Sequence, residues 1–519
     1  MGHEDGVTGT LLAVVTSLSL GAWFPIGYSL CQINAPQAVI VDWLHDVRCA
    51  RKVTNNTDFC IAVNSSLQLL QTDAVINGLW ALIGASMSLG ACLGLWGTGW
   101  LISRCGYKNA LHVTNIPAVL GTILSGACVM ADSYEMLFIG RILLGVNMGL
   151  SSSILPLYIA EISPVRLRGA MGTIPTFLYV FGMLVSVVLG LPQVLGTGDL
   201  WTVMSWLRFI PSLILSFSLL FCPESPRYLL LTNGDHQAAA KALTWLRQRS
   251  NITYELQQIE LERKAVEGEK VISVVGLFRD PFLRQNIVTC GLVMMNQRFS
   301  GYAAVYPYSS AIFSSVGLPP LESLYGSIGV MGLQMLAIAA GMVLIDKAGR
   351  KVLLISGNIG CCVACIAMVT FSGLVQQNCR WCPYGGLAAL LTFIVSYNLG
   401  PGIVPWILPA EMFGKESRGA AMTLVSFACH ASTMLVTALY PPMQAGMGHW
   451  TFLPYAIAAA AFIVYIWYDV LETKGRSFSE IQEALWEKRT GRGMARRTTG
   501  TGLSHAQSTV ASTAQLTDL

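Results

Sequence analysis

The stretch Ala160-Glu161-Ile162-Ser163-Pro164-Val165-Arg166-Leu167-Arg168-Gly169-Ala170 returns as Ala410-Glu411-Met412-Phe413-Gly414-Lys415-Glu416-Ser417-Arg418-Gly419-Ala420, with Glu411 standing 250 residues after Glu161. Two further echoes share nearly that offset. Arg104-Cys105-Gly106-Tyr107-Lys108 corresponds to Lys347-Ala348-Gly349-Arg350-Lys351, 243 residues on, and the segment from Glu224 to Arg227 corresponds to that from Glu472 to Arg476, 248 residues on. A pattern repeated at one long offset implies a chain made of two similar halves.

Between these charged elements the sequence is apolar. Of 519 residues, 53% are hydrophobic and only 12% are charged, about half the charge of an average soluble protein. Apolar runs of about 20 residues, enough to cross a hydrocarbon layer about 30 Å thick, recur twelve times from Thr10 to Val470. The expected fold is an all-α membrane protein with twelve transmembrane helices in two six-helix bundles, residues 1–222 and 285–470. A cytoplasmic linker with short helices joins them over 223–284. A tail over 471–519 follows, with a short amphipathic helix and a largely disordered end after about residue 490.

Charge sets the expected orientation. Of the 32 Lys and Arg residues, four (Arg48, Arg51, Lys52, Arg380) fall in one set of loops, three (Arg141, Arg208, Arg298) within spans, and the remaining 25 in the opposite loops and the tail. By the positive-inside rule both termini are then cytoplasmic in a multi-pass protein of the cell membrane. The acidic start, with no basic region before its first apolar run, argues for an anchor rather than a cleaved signal. The basic residues form no single recognition surface, so no nucleic-acid partner is expected; the partners implied are the lipid bilayer and a small polar solute.

The longest predicted outer segment, about 31–71, holds glycosylation sequons at Asn55 and Asn64; the one at Asn251 falls in the inner linker. Cys49 with Cys60, and Cys379 with Cys382, lie in outer loops where disulfides persist. The final Thr517-Asp518-Leu519 resembles a PDZ-domain ligand, a weak partner signal of three residues.

All the repeated charged elements fall at cytoplasmic ends of helices. A carrier that alternates between two openings needs contacts that form in one state and break in the other, and ion pairs at helix ends between bundles suit that task. Glu161, Arg168, Glu224, Arg227, Asp346, Arg350, Glu411 and Arg418 are the expected gate elements.

The same residues resemble the facilitative glucose transporter, or sugar porter, family of the major facilitator superfamily, over about Leu11 to Glu483. The similarity rests on Gly140-Arg141 through Gly145, Pro156, Tyr158, Glu161, Pro164 and Arg168-Gly169. Gly27-Tyr28, Ile33-Asn34-Ala35-Pro36, Pro223-Glu224-Ser225-Pro226-Arg227, Gly400-Pro401-Gly402 and Trp406 extend it. The segment Gly190-Leu191-Pro192-Gln193-Val194-Leu195-Gly196 is more similar to the fructose- and urate-handling branch than to the glucose branch.

The resemblance implies passive carriage of a small polar solute, usually a hexose, with no cofactor or metal. Ser29 stands where proton-linked relatives carry Asp, and neither a phosphate-binding loop nor a His-Glu-x-x-His spacing is present; no enzyme activity is expected. The implied substrate residues depart from the glucose pattern. Thr176 replaces a Gln of helix five, Gln297 keeps the first Gln of helix seven, and Arg298 replaces the second. Ala303 replaces an Asn, Gln334 an Asn of helix eight, Trp406 is kept, and Cys429-His430 stand where many relatives have Asn-Trp. Amides suit sugars because each offers donors and an acceptor to hydroxyl groups, and most are gone.

Arg298 within an apolar span must face a cavity or a partner. It either receives an anionic or carbonyl-bearing solute, or snorkels to an interface or bonds backbone carbonyls freed near Gly301 and Pro307. His430 either donates to substrate or bonds a neighbouring helix. Tyr302, Tyr306, Tyr308 and Trp406 offer faces for a sugar or planar ring. The expected function is facilitative transport of a hexose, fructose before glucose, by alternating access. The alternatives are transport of an organic anion such as urate, or a sensor that keeps the fold but no longer cycles.

Overall fold

A computed structural model describes residues 8–52, 73–164, 167–232, 234–249, 252–266, 272–375, 377, 379–476 and 478–490; its regular elements are helices, with no strand among the described residues. The first half comprises α1 (Gly9–Ala22), α2 (Phe24–Cys31), α3 (Gln37–Lys52), α4 (Ala74–Ala127), α5 (Tyr134–Ile162), α6 (Arg168–Leu189), α7 (Trp201–Leu207) and α8 (Phe209–Phe221). Four short helices follow as a linker: α9 (Pro226–Leu231), α10 (His236–Arg247), α11 (Thr253–Val266) and α12 (Val274–Arg279). The second half comprises α13 (Pro281–Phe299), α14 (Tyr302–Ser315), α15 (Pro320–Ala348), α16 (Arg350–Val375), α17 (Cys382–Leu399), α18 (Val404–Met412), α19 (Lys415–Met447) and α20 (Leu453–Asp469), and α21 (Phe478–Thr490) closes the described chain.

Nine helical segments among the described residues are long and apolar enough to cross a membrane. Two of them are 54 residues each, Ala74–Ala127 and Glu416–Asp469. Each holds two crossings, the first broken at Gly106, whose φ is +77°, and the second at the 3-10 turn Gly448–Phe452. The remaining crossing is α13 with α14, more polar and interrupted at Ser300-Gly301. Twelve crossings result, as in the major facilitator fold.

Glycines bring the first half's helices together. A Cβ built at Gly90 would lie 2.0 Å from the Ile142 carbonyl oxygen, one at Gly145 would lie 2.0 Å from that of Met87, and one at Gly149 would lie 2.2 Å from that of Ala91. With no hydrophobic drive between helices in lipid, this backbone approach supplies the packing that holds α4 on α5. Gly27 and Gly182 do the same between α2 and α6.

One element departs from the sequence expectation. Residues 37–52 lie in what reads as outer loop but form α3, because Ile40, Val41, Leu44 and Val47 share one helical face and are buried there. Arg48 pairs with Asp73, and Arg51 pairs with Glu135 at 2.6 Å, tying α3 to the starts of α4 and α5. Cys379 and Cys382 are disulfide-bonded. Cys60, which would pair with Cys49, and both outer sequons, Asn55 and Asn64, lie outside the described residues, as do Asn251 and the terminal Thr517-Asp518-Leu519.

The halves meet unequally. On the side away from the linker one apolar core runs through both, with Leu30, Trp80 and Ile83 of the first half in the same cluster as Tyr306, Phe313 and Tyr440 of the second. On the linker side each half has its own core, one around Leu111, Leu155 and Leu219, the other around Leu354, Leu408 and Ile466. Polar contacts also cross the seam on the far side. Asn34 donates to Ser309 Oγ at 2.7 Å and accepts from the Ser310 hydroxyl at 2.8 Å, while Asn77 donates to the Pro441 carbonyl at 3.3 Å.

Gly145→Val tests the glycine seam. The new side chain has only backbone to push against, so thermal stability of the detergent-purified chain should fall by about 1–3 kcal/mol or more. Gly99→Ala, at a position with nothing within 4 Å, should leave it unchanged. Equal melting of Gly145→Val and the parent would disprove the close approach.

Candidate functional site

Two kinds of polar site stand out in this apolar molecule: a pair of charged clusters on the linker side, and a polar cluster at the centre where the halves meet.

The charged clusters are built alike. In the first half the chain breaks at Gly106, and the N–H groups of Tyr107 and Lys108 begin a new helix with no partners above them. Glu224 supplies the acceptors: Tyr107 N–H donates at 3.0 Å, Lys108 N–H at 3.1 Å and Ser225 N–H at 2.9 Å. In the second half Gly349, with φ +96°, makes the same break. Arg350 and Lys351 N–H donate to Glu472 at 2.8 and 3.0 Å. Carboxylates at a helix N-terminus meet both the orphan donors and the positive end of the dipole.

Each glycine is required by its carboxylate. A Cβ at Gly106 would lie 2.5 Å from Glu224 Oε2, and one at Gly349 would lie 2.7 Å from Glu472 Oε2. Above each sits a second acid. Glu161 accepts from the Tyr107 hydroxyl at 2.7 Å and from the Ser225 hydroxyl. Glu411 accepts from the Arg350 guanidinium at 2.9 Å and from the Thr473 hydroxyl. The charges of Arg227 and Arg168 act on Glu161. Arg418 donates to the Phe413 carbonyl at 3.2 Å, closing its own helix end. Asp346 lies on α15, but its side chain is outside the described set.

The two clusters titrate differently. Burial pushes the Glu224 carboxyl above its ordinary value against the pull of three N–H groups, and neighbouring Glu161 adds to the rise. Burial also raises Glu472, but the N–H groups of Lys474, Arg350, Lys351 and Thr473 outweigh it, and its carboxyl titrates below the ordinary value. As pH falls, Glu224 therefore takes a proton before Glu472.

The contacts named for Glu161, Glu224, Arg350, Glu411 and Glu472 run within each half and tie the helix ends of each bundle to one another. The sequence favours ion pairs between bundles but assigns no partners. Tyr107, Ser225, Glu472 and Thr473 complete the clusters. Glu472 was legible as the repeat partner of Glu224, whereas the neutral Tyr107, Ser225 and Thr473 carry no signal in a single sequence.

The central cluster forms where α13 ends and Gly301, with φ +102°, turns the chain into α14. Gln297 donates to the Gly402 carbonyl at 2.8 Å, which leaves its buried Oε1 without a partner. Gln334 donates to the Tyr302 hydroxyl, and its Oε1 is likewise unpartnered. The Tyr302 ring stacks on Tyr397 with centroids 3.8 Å apart. His430 is buried with Nδ1 unpartnered.

Arg298 is half-buried and donates through Nε and Nη2 to Cys429 Sγ at 3.2 and 3.0 Å. Among the described residues its hydrogen bonds go to this thiol, a weak acceptor, and not to the backbone carbonyls near Gly301 and Pro307. Tyr306 and Tyr397 of its own half and Tyr179 of the first half lie within its electrostatic reach. The cluster thus belongs to both bundles. Tyr179 and Tyr397 escape sequence reading because a tyrosine in an apolar run is unremarkable.

The remaining sequence candidates are placed apart. Tyr308 points into the shared apolar core, stacked on Tyr440 at 5.1 Å and donating to the Thr437 carbonyl at 3.2 Å. Thr176 is half-buried on α6 of the facing half. Trp406, near the start of α18, is 37% exposed, enough to offer a ring face.

Comparison with known proteins gives consistent matches. The model of the family described as "Sugar (and other) transporter" matches residues 14–485. Solute carrier family 2, facilitated glucose transporter member 3 of Ovis aries is 33% identical over 479 residues, covering 92% of this chain and 93% of that protein. Member 2 of Rattus norvegicus is 31% identical over 516 residues, covering 96% and 97%. Among solved structures, the xylose transporter XylE from E. coli in an inward open conformation superposes with a TM-score of 0.72 at 23% identity, covering 92% of this chain and 100% of that one.

Gly106→Ala and Gly349→Ala should each lower stability by about 1–3 kcal/mol, the cost of forcing a side chain into strained backbone, with the displaced carboxylate adding to it. Gly169→Ala, where nothing lies within 4 Å, is the control. Unchanged melting of both cluster variants would refute the seating of Glu224 and Glu472.

Proposed function

We propose that this chain, which belongs to the sugar (and other) transporter family, carries a hexose across a cell membrane by facilitated diffusion, alternating access to a central site between its two halves. The observation that carries this reading is the central cluster itself. It is the place where unsatisfied amide acceptors, aromatic faces and both bundles converge. Gln297 and Gln334 each keep one buried acceptor for a hydroxyl donor, Tyr302 and Tyr397 stack beside them, and Tyr179 reaches the cluster from the first half.

Two features support uniport. Ser29 occupies the position of the proton-linked acid, and its hydroxyl is used internally, donating to the Pro25 carbonyl at 2.8 Å. Passive cycling needs bundles that move as rigid units. The clusters around Glu161 with Glu224 and around Glu411 with Glu472 supply that rigidity on the face we assign to the cytoplasm, and so act as gate elements by fixing each bundle's helix ends. Fructose is the preferred hexose, on the resemblance of residues 190–196 and the absence of the helix-five amide at Thr176.

One observation favours a second reading. Among the described residues Arg298 meets Cys429, Tyr302 and His430 but no carboxylate, and a guanidinium so placed suits an organic anion such as urate.

Uptake of labelled fructose, glucose and urate into vesicles holding the purified chain separates these readings. Saturable fructose uptake is expected. Binding of a sugar without flux above protein-free vesicles would leave the sensor reading in its place. Arg298→Gln should weaken an anion by about 1.5–3 kcal/mol, a factor of roughly 10 to 150, while changing hexose uptake little. Urate transport of unchanged affinity and rate in that variant would remove the anion reading.

A further inference from the structure

The first half contains a second arginine problem, unrelated to the central cluster. Arg208 forms the joint between α7 and α8, and Arg141 lies on α5; their exposures are 1% and 2%. An arginine keeps its charge in any protein setting, and a buried charge is tolerated only with a partner. Arg141 has carbonyl partners, donating from Nε to Ile83 O at 2.9 Å and from Nη1 to Ser29 O at 3.4 Å.

Arg208 is poorly served. Its Nη2 donates to Asn147 Oδ1 at 3.1 Å, while Nε and Nη1 are buried without a partner. The charged or titratable groups acting on it are Arg141, which repels it, and Tyr28, whose hydroxyl is spent on the Met204 carbonyl at 2.8 Å. Those acting on Arg141 are Arg208, Tyr308 and Tyr306. No carboxylate of the described residues is among them. Two cationic side chains thus sit together between α2, α4, α5 and the α7–α8 joint, with dipoles alone against them.

We propose that Arg208 and Arg141 hold a chloride ion inside the first half, bound by the free Nε and Nη1 of Arg208. A single negative charge removes most of the repulsion between the guanidiniums. A monatomic anion suits the site because it accepts from several donors without directional lone pairs. A carboxylate, phosphate or sulfate would bring more acceptor oxygens than two free nitrogens satisfy, and each spare oxygen would be left buried. The site is independent of the cargo and stands whichever solute the central cluster binds.

Equilibrium binding of labelled chloride to the purified full chain tests this, together with melting in sodium chloride against sodium gluconate. The expected result is one chloride per chain and a melting temperature several degrees higher in chloride, since a ligand bound only by the folded state stabilises it. Arg208→Met, which removes the unpaired charge and keeps an apolar side chain of similar length, should bind no chloride and melt alike in both salts. Absence of bound chloride on the parent chain, or undiminished binding by Arg208→Met, would overturn the proposal. Should that variant fail to fold, crystals of the parent chain grown in bromide decide the matter. An anomalous peak beside Arg208 is expected, and its absence refutes the site.

Discussion

A carboxylate received by the backbone of a broken helix is the contact on which each half depends. Two successive crossings must reverse at the membrane surface, and the second begins with N–H groups that no preceding turn can satisfy. Glu224 and Glu472 satisfy them from the far end of the same bundle, joining its third crossing to the end of its sixth. Lysine completes the tie in both halves: Lys108 Nζ reaches the Leu220 carbonyl and Lys351 Nζ the Trp467 carbonyl. Each bundle is thereby closed into a ring at the face that carries the linker. The linker and tail helices add to that face, with Arg247 donating to the Ile162 carbonyl and Gln482 to the Met412 carbonyl.

The repeat was legible because charged residues at a membrane boundary stand out from an apolar chain. Their partners were not. Tyr107 and Arg350 hold equivalent places but differ in chemistry, and Ser225 and Thr473 keep only the hydroxyl in common, so the repeat conceals groups that complete it. The α3 helix was hidden for a similar reason: its outer face is polar enough to read as loop, and only the buried Ile40, Leu44 and Val47 reveal it. At the centre, Arg298 was visible as a departure from the family pattern, but its thiol partner was not, and Tyr308 proved committed to packing. Spacing along a helix says which residues share a face; it does not say which of two neighbouring helices that face meets.

The central cluster and the buried arginines show opposite forms of incompleteness. Around Gln297, Gln334 and His430 the unmet groups lie in the cluster we propose for the solute, which would satisfy them and leave. Around Arg208 they lie inside one bundle, where a partner would have to remain through the cycle. Burial alone does not separate the two situations; the position of the seam does.

The continuous apolar core on the side away from the linker gives the cycle a direction of effort. Parting that side wets a shared surface of aromatic and aliphatic side chains and breaks the Asn34 bridge to Ser309 and Ser310, whereas among the described residues the buried cores of the linker side are two separate ones. On the proposed alternating-access reading, the side that holds the shared core is the costlier one to part, so an empty carrier would rest with its linker side parted.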